Sequence, residues 1–330
     1  MNKISTIIVC FLLVTSCKND VNNNVSKKEK VNNNLNLIIT PDLSNRITKY
    51  TKHKPLNDTL LIKTLLNSYY PNIYRSNNRL TGQKDQISFL FTNPTIITEH
   101  NINMENLDMD FSKMTDGKRI QYFVSHTENI APFEFDKEKM NNEVRKFYNN
   151  SYTNVGGADI FNFFKSKIKA SKIKKNKKPL KINQTMVYNN QRNILILFTD
   201  GYIEAGMYGN KNCKNNSCVF LDKKRVDNFR TKFKASAHSD MKAFFEENNY
   251  GIEPVKNDLL KDLEVIVVEM YDRSLADSGS QRIMPNDLDI LKLFWADWLQ
   301  KSGVKRHKLL GTVNSADEFE KNIISFIEGN

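Results

Sequence analysis

Short runs of β-branched and aliphatic residues recur along this chain at 35–41, 86–92, 119–124, 193–199, 263–270 and 306–312. Each is bounded by turn-forming or charged residues and predicts a buried strand. Between them the apolar spacing changes to a helical period. Over 57–70, Leu60, Leu61, Leu65 and Leu66 share one face, Asn57 or Asp58 is placed to cap, and Pro71 ends the run. Further helices are predicted at 136–149, 159–170, 222–248, 287–301 and 315–328, while 93–118 has no regular period. In the 287–301 helix, Trp295 and Trp298 lie three residues apart on one face and read as core. Strands alternating with helices predict an α/β fold: a doubly wound, mostly parallel sheet with helices on both faces. The expected domain spans 35–330, with insertions at about 93–118 and 202–222.

Two of the strand runs end in an aspartate. The first reads Ile38-Ile39-Thr40-Pro41-Asp42-Leu43-Ser44-Asn45-Arg46, and the second Leu197-Phe198-Thr199-Asp200-Gly201. Ligands of open α/β sheets bind just beyond the carboxyl ends of the strands. Two carboxylates and the Ser44 hydroxyl at that rim offer an all-oxygen cradle for a hard divalent cation. A strand-end aspartate also serves as a simple turn or helix cap, so the pair carries more weight than either residue alone.

These residues resemble the first and last motifs of von Willebrand factor A domains. There a D-x-S-x-S loop follows the first strand, a Gly-Gly-Thr-type loop precedes a helix, and a T-D-G-like turn follows the fourth strand. Gly156-Gly157-Ala158-Asp159-Ile160 stands at the middle position in this order. The resemblance implies a von Willebrand A-like, Rossmann-like fold. It also implies a metal-ion-dependent adhesion site for Mg²⁺ or Ca²⁺, with Asp42, Ser44, Asp159 and Asp200 as ligands. Two positions depart from the pattern: Arg46 replaces the second serine, and Ala158 replaces the threonine ligand. A guanidinium at position 46 would compete with a metal for the same carboxylates, or point outward toward an acidic ligand.

The first residues change the setting. Lys3 precedes the apolar run Ile7–Val14, which ends in Thr15-Ser16-Cys17. That run is too short to span a bilayer and has the shape of a signal peptide over 1–16. Cys17 after small residues resembles a bacterial lipobox, which implies cleavage before it and acylation, palmitate included. Residues 17–34 are polar and low in complexity, and read as a flexible leash. The Lys-Asn-Asp after Cys17 is similar to export signals of Bacteroidetes lipoproteins, pointing to the outer membrane or cell surface rather than the inner membrane. Cys213 and Cys218, the cysteines beyond the leader and anchor, are expected to form a disulfide in such a compartment.

Composition narrows the function. The formal net charge is +12, much of it in the lysine run 165–181, which predicts a solvated helix end and loop. Lysine without arginine or interleaved aromatics is a poor nucleic-acid signature. The five histidines are scattered, and no nucleophile elbow or phosphate loop occurs. With these classes set aside, the two resemblances imply a lipid-anchored extracytoplasmic module that binds a protein or glycan at the strand-end rim. The alternatives are a metal-dependent hydrolase at the same rim and a structural envelope lipoprotein with a degenerate site. Substituting Cys17→Ala is expected to leave an unprocessed or soluble exported form; lipid labelling of that variant at the wild-type level would refute the anchor.

Overall fold

The structure, a computed structural model, describes residues 28–49, 56–79, 82–125, 131–153, 157–204 and 213–329. In chain order the first half contains β1 (Lys28–Pro41), α1 (Arg46–Lys49), α2 (Asp58–Ser68), β2 (Gln86–Phe89), α3 (Ile96–Glu99), β3 (Asp108–Asp110), α4 (Asp116–Val124) and α5 (Pro132–Thr153). It continues through α6 (Ile160–Asn162), β4 (Lys177–Ile182), β5 (Thr185–Phe198), β6 (Cys213–Lys214), β7 (Ser217–Cys218), α7 (Lys223–Ala235) and α8 (Met241–Glu247). The last elements are β8 (Gly251–Ile252), β9 (Leu263–Met270), α9 (Asp287–Lys301), β10 (Arg306–Gly311) and α10 (Ala316–Glu328).

Among the described residues, seven strands form one sheet in the order β3-β2-β1-β5-β9-β10, with β4 paired to β5 outside this path. β1, β2, β5, β9 and β10 run parallel, and only β3 and β4 are antiparallel to their neighbours. This is a doubly wound α/β arrangement. The chain leaves β1 toward β2 on one side and returns to β5 on the other, so the β1/β5 junction is the topological switch point.

Alternation within the strands divides the core into two layers. Leu35, Leu37, Ile39, Ile194, Ile196, Phe198, Ile266 and Val268 face α2, α5 and α10. Ile38, Leu195, Leu197, Val265 and Val267 face α7, α8 and α9 on the other side. Trp295 and Trp298 are fully buried in that second layer, as their spacing predicted, and their indole N–H groups donate to the carbonyls of Gly201 and Glu253.

Three readings of the sequence need correction. The strand expected from residue 35 begins at Lys28, so the second part of the expected leash is sheet. Residues 28–41 pair with 185–198 in one unbroken parallel register. The asparagines that looked like low-complexity linker are stacked in that register: Asn32 donates to Asn189 at 3.1 Å, Asn190 to Asn33 at 3.1 Å, and Asn34 to the Asn190 carbonyl at 3.2 Å. The expected strand at 119–124 is the end of α4. Thr115 caps it, and Arg119 is buried against the carbonyls of Phe111 and Met114. The alternation of Ile120, Tyr122 and Val124 mimicked a strand, but Ile120 and Val124 lie on the exposed face of the helix. Finally, the lysine run is not all helix end and loop, because its last residues form β4. The irregular 93–118 insertion holds the antiparallel edge strand β3 among short helical turns.

Asp85 locks the lower half of this frame. Fully buried, it accepts from the Leu35 amide at 2.8 Å, the Tyr69 hydroxyl at 2.8 Å and Arg79 Nη1 at 2.9 Å. Asp85→Ala would leave the buried Arg79 charge uncompensated, and is expected to cost about 3–5 kcal/mol. Urea denaturation checks this; a loss below about 1 kcal/mol would show the network to be marginal.

Candidate functional site

Beyond the carboxyl ends of β1 and β5 the chain makes two tight turns that face each other. The Asp42 amide donates to the Phe198 carbonyl at 2.9 Å, which ties the strand ends together. Asp42 Oδ1 accepts from the Ser44 amide at 3.0 Å, and Oδ2 from the Thr199 hydroxyl at 2.8 Å. Gly201 completes the second turn at φ +87°. A Cβ there would stand 2.9 Å from Met270 Cε, so the turn needs glycine on both counts. A bridge between Leu43 and Gly157 brings the middle motif against the first. The three segments singled out in the sequence therefore do converge.

They enclose a small polar pocket of about 50 Å³ lined by Asp42, Ser44, Asn45, Arg46, Ala158, Ile160, Asp200, Tyr202, Glu204 and Arg273. Asp159 is not among the lining residues. Its two carboxylate oxygens accept from the Asn162 amide at 3.1 Å and the Asn162 side chain at 2.7 Å, so it caps α6. That corrects its expected role as a ligand. Gly156 and Cys17 lie outside the described residues. Cys213 and Cys218 face each other across β6 and β7, with their sulfurs at disulfide distance.

Arg46 points inward. Its Nε donates to the Asp42 carbonyl at 2.9 Å and lies 3.5 Å from Asp42 Oδ2. Nη2 donates to the Phe198 carbonyl at 2.9 Å and to the Asp58 carboxylate. Asp58, the first residue of α2, also accepts from the Tyr148 hydroxyl of α5 at 2.9 Å. Burial works against the guanidinium charge, but Asp58 and Asp42 outweigh it, so Arg46 stays firmly protonated.

Asp200 has its own arginine. Oδ2 accepts from Arg273 Nη2 at 2.6 Å, and Oδ1 from the Tyr202 amide at 3.2 Å. Arg273 also reaches Glu204 Oε1 at 2.7 Å, and its guanidinium lies 3.9 Å from the centre of the Tyr202 ring. Burial raises the Asp200 pKa, Arg273 opposes that rise, and the neighbouring Asp42 charge adds to it. Beneath, the Tyr202 hydroxyl donates to Asp287, which Arg230 and Lys223 also approach. Burial and then Asp287 push that phenol well above its ordinary range.

Nothing in the sequence analysis marks Arg273, in the loop after β9, as the partner of Asp200. Asp58 reads there only as a helix cap, and Tyr202 and Glu204 do not stand out, because nothing in the local pattern marks a side chain that acts across 12 to 73 residues.

These residues do not fit the divalent cation implied by the resemblance. Ala158 supplies no oxygen, Arg46 and Arg273 sit on the carboxylates of Asp42 and Asp200, and Asp159 is turned away. No group of three or more His, Cys, Asp or Glu side chains among the described residues is arranged to hold a metal. Comparison with protein-family models, with curated proteins and with solved structures returns no match for this chain.

Asp200 gives the site a pH signature. Because its folded-state pKa is raised above the unfolded value, the native state holds the proton more tightly. Stability from this group should then fall as pH rises through the raised value. Asp200→Asn is expected to flatten that part of the pH–stability curve, read from denaturant midpoints; identical slopes in both proteins would refute the raised value.

Proposed function

We propose that this chain is a lipid-anchored, extracytoplasmic binding module of von Willebrand A-like type that engages a protein or glycan at the β1/β5 rim without a metal. The observation that carries this reading is the convergence of the 42–46, 157–160 and 200–204 segments on one pocket at the switch point. That is where open α/β sheets bind ligands.

The pocket's size shapes the mode of binding. About 50 Å³ admits one small polar group, whereas sites for whole small molecules measure roughly 300–1,000 Å³. A larger partner would lie across the rim and insert a single group. Three acids, Asp42, Asp200 and Glu204, line the pocket beside two arginines, Arg46 and Arg273, and Asp58 stands behind Arg46. The excess of acid favours a hydrogen-bond donor or cation, such as a lysine ammonium, over a carboxylate. Arg46 and Arg273 supply internally the positive charge that a metal supplies in the family it resembles.

An enzyme is the weaker reading. Among the described residues no histidine lines the pocket, and each buried carboxylate there is tied to an arginine rather than poised beside a free base.

Photo-crosslinking from the exposed rim residue Asn45, in cells carrying the full chain, tests the proposal, with exposed Lys232 on α7 as the control position. Discrete adducts from Asn45 alone, undiminished by a chelator, are expected. Adducts lost on chelation would restore the metal-dependent reading, and equal or absent adducts at both positions would sink the binding site.

A further inference from the structure

The rim is at one end of β1 and β5, and the opposite end is chemically distinct. Residues 165–181 hold nine lysines and no acidic residue. Seven of them are exposed, including Lys175, Lys177, Lys178 and Lys181, which lead into and along β4. Beside these cations, Leu180 and Ile182 are 54% and 55% exposed. Leu180 pairs with Val187, and Ile182 with Thr185, so both project from the same face of the hairpin.

Edge protection explains part of this. Lysine and proline on an edge strand discourage pairing with other chains, and Lys177, Lys178 and Pro179 meet that need. It does not explain two large aliphatic side chains standing in solvent among the lysines.

Position supplies the rest. Thr185 at the start of β5 is in register with Lys28 at the start of β1, so the hairpin tip lies where the described chain begins. Cys17 precedes Lys28 by eleven residues, a span of at most about 40 Å when fully extended. The 14 residues of β1 place the rim roughly 45 Å further on. An acylated Cys17 would therefore hold the hairpin end of the sheet within about 40 Å of the bilayer, with the rim at the opposite end of β1.

We infer that the β4–β5 hairpin seats on an anionic lipid surface, its lysines among the headgroups and Leu180 and Ile182 in the interface, so that the rim points away from the membrane. This rests on the lipid-anchor reading. Acylation alone holds the protein on the membrane; the hairpin sets its orientation. Because the attraction is electrostatic it weakens with salt, and each lysine near the surface contributes about fivefold in partitioning.

The test uses the acylated full-length protein in vesicles of 30% phosphatidylglycerol in phosphatidylcholine, and in phosphatidylcholine alone. An environment-sensitive fluorophore is attached through Ile182→Cys or, at the rim, Asn45→Cys. The expected result is quenching of the residue-182 probe by headgroup quenchers on anionic vesicles only. That quenching is reversed by high salt and lost in Lys177→Glu/Lys178→Glu/Lys181→Glu, with the residue-45 probe unaffected throughout. Protein that floats with the vesicles while the 182 probe is unquenched, or equally quenched on both compositions, overturns the inference and leaves the anchor standing. Protein that does not float with either vesicle overturns the anchor and the orientation together. A 182 probe that responds to a soluble acidic polysaccharide but not to anionic vesicles assigns the hairpin to a glycan and overturns the lipid surface.

Discussion

A guanidinium taken fully out of water must find acceptors for its donors and a counter-charge for itself, or it does not stay there. Arg46 does both at the head of the sheet. Its acceptors come from the end of β1 (Asp42), the end of β5 (Phe198) and the start of α2 (Asp58), and Asp58 is held in turn by Tyr148 of α5. One side chain thus fastens both strands of the switch point and two helices of one face. The shape of the 42–46 loop, the spacing of the two carboxylates and the size of the pocket follow from that fastening. A hydroxyl at position 46 could not do this, since it has one proton to donate and no charge.

The second arginine repeats the solution on the other turn with a different connection. Arg273 arrives from the loop after β9 and sits over the Tyr202 ring while holding Asp200 and Glu204. Each rim carboxylate therefore carries its own internal cation, drawn from opposite sides of the sheet's crevice. The pair of aspartates that looks like half of a metal site is in this chain two arginine–aspartate clasps, closed by residues far apart in sequence.

The parts of the fold that were legible in the sequence are those where local pattern and burial agree. The run at 263–270, the helix over 287–301 and the final strand and helix match the structure to within a residue or so, and the run at 193–199 marks the buried end of β5, which begins at Thr185. The strand ends at Asp42 and Asp200 located the pocket, because strand direction fixes where a parallel sheet opens. What failed to show was of two kinds. Asn32 to Asn34 and Asn189 to Asn190 are polar, and their contribution lies in pairing with one another across more than 150 residues, which no window of sequence can show. Asp159 and Asp58 exchanged expected roles: the one taken as a ligand caps a helix, and the one taken as a cap completes the clasp. Both are carboxylates at helix starts, and only the direction in which each side chain points separates them.

The 14 consecutive pairs between β1 and β5 also set how the molecule answers a pull. A load entering at the N-terminal side of β1 and leaving at the rim runs along the strand axis. It shears the ladder rather than peeling it, so the backbone bonds from Lys28 to Pro41 share the tension instead of yielding one at a time. At the far end of that line stands the Arg46 clasp, which joins the loaded strand to β5 and α2 and spreads the force into the body of the domain.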